Sequence, residues 1–499
     1  MCLINNYRNN IKNLMISVCM LSLVLVVIPE AKALTEPDTS VYLEGQIVPH
    51  PKYPKWLVLW SKTGDHKPIL LAGPGDPERY FFIPNREEMI DRMAEHGGNC
   101  IYIMADASGD ADGMEAYVNG DPTQGYEPET LDEWEPLLKK MADNGIYALF
   151  FFYDDNVNYW GPVTKVPSAE ERLIKQLVQR FDSLPNIMWA FAEESNEAAN
   201  DRRAADFANK VREYDRHDHI MGIHTMHMTQ QSSINEAAAL VKTSSSINQF
   251  AVQCNVKPDD DWHKCAVDVY HAMGSDVHVN MSENTEAKRD DEWRRRMWAG
   301  ALGGGAVSMQ LRNKIMEAKT TELNDFRNIT KFFEKTDFFM TEPHDELRNG
   351  STRYTLAKPG EVYIGYSSTA TGTMGFKQMI PGLHHLIWYN AVTNETLIQD
   401  SVDVTSSDMT WQLPTGFSGE IALYARKGIV PVAINKDLAG SSEKGLKRVQ
   451  KGLFINGVDS KIDMSQVTVY DLKGKIINAT NENLEKTLSN GIYFYKLNN

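Results

Sequence analysis

Ile187-Met-Trp-Ala-Phe-Ala-Glu193-Glu194 is an unbroken apolar run that ends in carboxylates, and Val277-His-Val-Asn-Met-Ser-Glu283-Asn284 is a second strand-like run that also ends in a carboxylate. An apolar run of this length reads as a strand buried on both faces, which is how strands of parallel sheets read. Polar groups at the C-terminal ends of such strands gather at the functional rim of a β/α barrel. The fold therefore turns on whether the remaining chain supplies the other units.

It does so on both sides of the quoted stretch. Apolar β-rich runs over 69–73, 100–105 and 147–153 precede it, and runs over 219–224, 248–253 and 306–310 complete a count of eight with 187–192 and 277–283. Helical periodicity fills the intervals. One helix runs from Arg86 to about Glu95 and stops at Gly97-Gly98, another covers 131–143, and a third opens at Ser168 with Glu171 as a capping box. Further helices are expected over 201–214, 262–273, 293–302 and 322–333, with a weak one over 234–241. Strands alternating with helices predict a (β/α)8 TIM barrel over 68–344, with a doubly wound open sheet as the alternative.

The flanks differ in character. Residues 1–33 carry Arg8 and Lys12, an apolar stretch over 14–28 and Ala31-Lys32-Ala33, the parts of a secretory signal peptide. An N-terminal extension over 34–67 follows. After about Asp345, short alternating runs separated by Gly, Pro, Asn and Thr predict an antiparallel β-sandwich over 345–426. A polar linker over 427–445 leads to a last strand-bearing segment over 446–499.

The formal charge of −16 repels polyphosphate at long range, which argues against nucleic acid or an anionic membrane as partner. Five cysteines in 499 residues show no zinc or haem spacing. Two of them, Cys2 and Cys19, fall in the leader. Cys254 and Cys265 are able to pair in an oxidising compartment, and Cys100 reads as a core residue.

The segment over 446–499, with Tyr470-Asp-Leu-Lys-Gly-Lys475 and Asn490-Gly-Ile-Tyr-Phe-Tyr-Lys496, resembles the C-terminal sorting domain of type IX secretion cargo. That resemblance implies the type IX machinery as a partner and a secreted or surface-attached product. The central region resembles the clan A glycoside hydrolases, in which the acid/base ends strand 4, usually as Asn-Glu, and the nucleophile ends strand 7. Carried onto this chain, the pattern places Glu194 at the acid/base and Glu283 at the nucleophile, with Glu193 in place of the usual Asn. The run Trp293-Arg-Arg-Arg-Met-Trp-Ala-Gly-Ala-Leu-Gly-Gly-Gly305, with Leu356-Ala-Lys-Pro-Gly-Glu361 and Trp388-Tyr-Asn390, is similar to a subgroup whose C-terminal domain is named for collagen binding.

Glycosidic cleavage needs one protonated carboxyl group and one ionised partner, about 5 to 5.5 Å apart for retention. Glu194 and Glu283, on strands that face one another across a barrel mouth, fit that requirement. Glu193 is the nearest competitor, because neighbouring strand residues point to opposite faces. Asp106, Tyr153, Asp154, Asp155, Trp160, Glu193, His224, Gln253, Asn280 and Asn284 end or flank strands and are expected to bind sugar hydroxyls or stack on a ring. No cofactor or metal is expected, since Gly109-Asp-Ala-Asp-Gly113 and Asp259-Asp-Asp261 lack calcium-loop spacing. The expected activity is hydrolysis of a polysaccharide or oligosaccharide; the alternative is a non-catalytic glycan-binding or adhesion protein.

Overall fold

A computed structural model describes residues 41–74, 80–106, 116–155, 157–196, 201–226, 228–257, 259–284, 290–310, 316 and 319–428, together with strands at 448–449, 452–453, 467–471, 476–477 and 493–497. The leader, nearly all of the linker, the Gly109–Gly113 loop, Glu197 and His227 lie outside the described residues. The elements below all belong to the unit Leu43–Asn499.

The extension forms a three-stranded antiparallel sheet, β1 (Ile47–Pro49), β2 (Leu57–Leu59) and β3 (Lys67–Ile69). Eight parallel strands follow, β4 (Leu71–Pro74), β5 (Cys100–Met104), β6 (Tyr147–Tyr153), β7 (Ile187–Ala192), β8 (Met221–Thr225), β9 (Gln249–Gln253), β10 (His278–Glu283) and β11 (Gly305–Gln310). Their order is β4-β11-β10-β9-β8-β7-β6-β5. The two ends meet where the Asn99 N–H donates to the Ala72 carbonyl at 3.0 Å. Gly73 is required there, because a Cβ would sit 1.7 Å from the Cys100 carbonyl oxygen. The expected first strand is divided: Ile69 closes β3, paired with Leu57 of β2, and β4 starts at Leu71.

Helices α1 (Arg86–His96), α2 (Pro128–Asp143), α3 (Ser168–Phe181), α4 (Ala204–Tyr214), α5 (Gln231–Val241), α6 (Asp259–Ala272), α7 (Asp290–Leu302) and α8 (Thr320–Phe333) occupy the intervals. α1 stops where expected, at Gly97 in the left-handed region, φ 74°. Ser168 is the first helical residue of α3 rather than its cap, Pro167 taking the N-cap position with no side-chain bond. No described helix is long and apolar enough to cross a membrane.

The C-terminal β-domain pairs β12 (Glu342–Pro343), β14 (Tyr354–Lys358), β15 (Val362–Ala370), β20 (Gly419–Lys427), β17 (Gly382–Asn390) and β18 (Thr396–Val404) in one antiparallel sheet. β13 (Arg348–Gly350), β16 (Thr373–Phe376) and β19 (Met409–Gln412) form a second. Strand alternation divides the larger sheet cleanly. Tyr363, Leu386, Trp388 and Leu423 build the core shared with the small sheet, whereas Ile364, Tyr366, Ile387, Tyr389, Ala422 and Tyr424 join the barrel's own core. Trp298 of α7 stacks on Tyr366 with ring centroids 5.1 Å apart.

Candidate active site

β10 carries the decisive local irregularity. His278 and Asn280 face the barrel interior, where the Gln249 amide contacts both, and Met281 faces the helix layer against Gly300 of α7. Strict alternation would send Glu283 outward with Met281. Against β9, however, Asn280 pairs with Ala251 and Glu283 with Gln253, so three steps on one strand match two on the other. This β-bulge re-aims Glu283. Its carboxylate accepts from Gln253 Nε2 at 2.7 Å and stands 3.9 Å from His224 Nε2.

Strand 4 of the barrel delivers its acids differently. β7 ends at Ala192, Glu193 continues the ladder by donating its N–H to Tyr153 O at 3.0 Å, and Glu194 enters the left-handed region at φ 39°. A non-glycine residue there is uncommon and breaks the two-residue alternation. The Glu194 N–H donates to His224 Nδ1 at 2.9 Å. Because Nδ1 accepts, the neutral ring carries its proton on Nε2, toward Glu283. Burial pushes the His224 imidazole down to about 3, so the ring is uncharged at neutral pH.

Glu193, His224 and Glu283 each present an atom within 4.8 Å of the others, and so do Asp154, Asp155 and Glu193. Either set has the donor types to hold a cation, although His224 offers Glu283 an N–H rather than a lone pair. Burial raises the Glu283 carboxyl, an effect opposed by hydrogen bonds with Glu193 and Gln253. Burial also raises Asp154, up to about 7, with help from its hydrogen bond to Asp155. Among the described residues neither cluster contains Glu194, which is itself buried.

The other expected site residues divide into two groups. Gln253, His224, Asp154, Asp155 and Glu193 join the carboxylate cluster. Tyr153 and Trp160 do not, because the Tyr153 hydroxyl reaches Glu170 of α3 at 3.1 Å and the Trp160 indole donates to that hydroxyl at 3.2 Å. Tyr153 also packs on Phe191 and Phe207. Asn280 lies in the interior layer on Gln249, below the mouth, and Asn284 donates to the Val256 carbonyl. Asp106 accepts from Tyr117 at 2.8 Å and is fully buried. Asp259 and Asp260 hold Arg295 and Arg353 respectively. The Glu193–Glu283 proximity is what sequence reasoning missed as a pair, for want of the bulge.

Residues 84–322 match the family model described as the Apiosidase-like catalytic domain. No curated protein matches the chain. Among solved structures, a glycoside hydrolase family 5 protein from Bacteroides vulgatus ATCC 8482 superposes with a TM-score of 0.59 at 14% identity, covering 77% of this chain and 93% of that one. A second, titled "Glycoside hydrolase", gives 0.57 at 15% identity over 77% of this chain and 97% of its own. These likenesses establish a shared fold that extends beyond the barrel. The catalytic-domain match supports an enzyme of glycoside hydrolase type on that (β/α)8 barrel.

Proposed function

We propose that the protein is an exported glycoside hydrolase that cleaves a polysaccharide or oligosaccharide with retention, Glu283 attacking the anomeric carbon and Glu194 serving as acid/base. The observation that carries this reading is the bulge that turns Glu283 inward to face the acidic end of β7. Glu194 protonates the glycosidic oxygen as Glu283 forms the glycosyl-enzyme, then activates the water that releases it. Gln253 holds the Glu283 carboxylate in line.

Glu193 is assigned a supporting role because it hydrogen-bonds Glu283 directly. A carboxyl in that contact shares a proton with the nucleophile and leaves no space for a glycosidic oxygen between the two. We assign it to the sugar hydroxyl beside the anomeric centre, where the resemblance puts an Asn. A second reading, with Glu193 itself as the acid, is favoured by its presence, and the absence of Glu194, in the cluster with Glu283 among the described residues, and requires that contact to open when substrate binds. Export rests on the leader and the sorting-like C-terminal segment, and the family's description makes apiosyl linkages the first to try.

The test is turnover of Glu283→Gln, Glu194→Gln and Glu193→Gln on a panel of neutral and anionic polysaccharides, apiose-bearing glycans and activated aryl glycosides. Losses of about a thousandfold or more are expected for Glu283→Gln and Glu194→Gln. Azide should rescue Glu194→Gln on aryl glycosides with retained configuration. Rescue of Glu193→Gln instead would transfer the acid role to Glu193. Wild-type rates in the Glu283 and Glu194 variants, or binding without products in the unaltered protein, would reject the hydrolytic mechanism in favour of a glycan-binding role.

A further inference from the structure

Cys254 directly follows Gln253 at the end of β9, and Cys265 lies within α6. Both are buried, and both thiols are reduced in this structure. Their sulfur atoms converge on one acceptor, the Met228 carbonyl, at 3.8 Å from Cys254 and 3.1 Å from Cys265. The two thiols are also close enough to interact with each other. Two weak donors crowded onto one carbonyl in an apolar setting are poorly satisfied as thiols. The Cys254 N–H in turn donates to the Glu283 carbonyl at 3.1 Å, so this pair sits directly behind the bulged end of β10.

We infer that Cys254 and Cys265 form a disulfide when the chain folds under oxidising conditions, tying β9 to α6 behind Glu283. The step is thiol–disulfide exchange with a low-molecular-weight disulfide such as oxidised glutathione. One cysteine thiolate attacks the oxidant and releases a reduced thiol; the second thiolate then attacks the mixed disulfide and releases another. In balance, the two cysteines lose two protons and two electrons, and the oxidant's S–S bond becomes two thiols. Their contact and burial push the Cys265 thiol well above its ordinary range, so the folded, reduced pair reacts slowly and closure belongs to folding. The brace on the nucleophile rests on the proposed function, whereas the bond itself does not.

The full chain is refolded from urea with reduced and oxidised glutathione, and in parallel recovered from the oxidising periplasm of an expression host. Both samples are alkylated and mapped by mass. The expected result is a mass loss of two hydrogens, two cysteines protected from alkylation, and a peptide pair joining Cys254 to Cys265. Cys265→Ser should abolish that pair. Reduction should lower the thermal midpoint by several degrees. Free alkylation of Cys254 and Cys265 in folded protein, or a bridge through Cys100, would overturn the inference. Should the bridge form while the Glu283 and Glu194 variants keep full turnover, the disulfide stands and the hydrolytic reading falls.

Discussion

The barrel mouth and the seam between barrel and β-domain are both rich in acid, and they treat it in opposite ways. At the seam carboxylates meet guanidinium groups: Glu420 takes a fork from Arg294 at 2.7 and 2.9 Å, and the exposed Asp260 one from Arg353 at 2.6 and 2.7 Å. The Arg353 bond holds Asp260 below the usual carboxylate range. At the mouth carboxylates meet one another, and Asp154 and Glu283 are both raised. Opposite charges brought together hold structure, whereas carboxyls buried without a guanidinium are raised and keep protons available, which is what acid–base chemistry requires.

The largest effect that would sharpen this contrast is at the seam. Arg294→Ala leaves Glu420 buried beside Tyr366 without its fork and should cost about 3 to 5 kcal/mol, read as a fall in the urea midpoint. A loss below about 1 kcal/mol would show that the seam carries little of the stability. Next comes Gln253→Ala, which removes a hydrogen bond to a charged oxygen worth about 1.5 to 3 kcal/mol. Turnover should fall about tenfold or more and stability by up to that amount, and an unaltered rate would detach Gln253 from the chemistry.

The smallest effect is a slope in pH. Asp154 is raised in the folded state to about 7, so between the unfolded carboxyl range and that value the native protein keeps a proton that the unfolded chain has released. Stability from this group is therefore present at low pH and is lost as pH rises toward 7. Asp154→Asn should gain stability relative to the unaltered protein across that window in urea titrations. Parallel curves would mean that Asp154 ionises normally.

Much of the barrel was legible because its strands are continuous apolar runs and its helices carry their own stop signals, as at Gly97. The β-domain strands around Tyr363, Trp388 and Leu423 were legible from their alternation. Its attachment was not, since Tyr366 and Tyr389 look like any alternating aromatic until Trp298 and the Asn328 carbonyl meet them. The contacts of Tyr153 and Trp160 were hidden for the same reason, Glu170 lying on a helix that only the fold brings near to the Tyr153 hydroxyl. Among the acids, composition marked the strand ends, but the orientation of Glu283 depends on pairing with β9, and that of Glu194 on a backbone turn no residue type announces.

One extra peptide unit between Asn280 and Glu283 thus has a consequence larger than its size. Pairing the same residues regularly, without the bulge, would preserve every acidic side chain, the strand count and almost all of the buried apolar surface, yet turn the carboxylate toward Gly300 and the helix layer. Two chains could then share this barrel and its inventory of glutamates while only one possessed a reaction centre, and a search that counts acidic strand ends would not tell them apart.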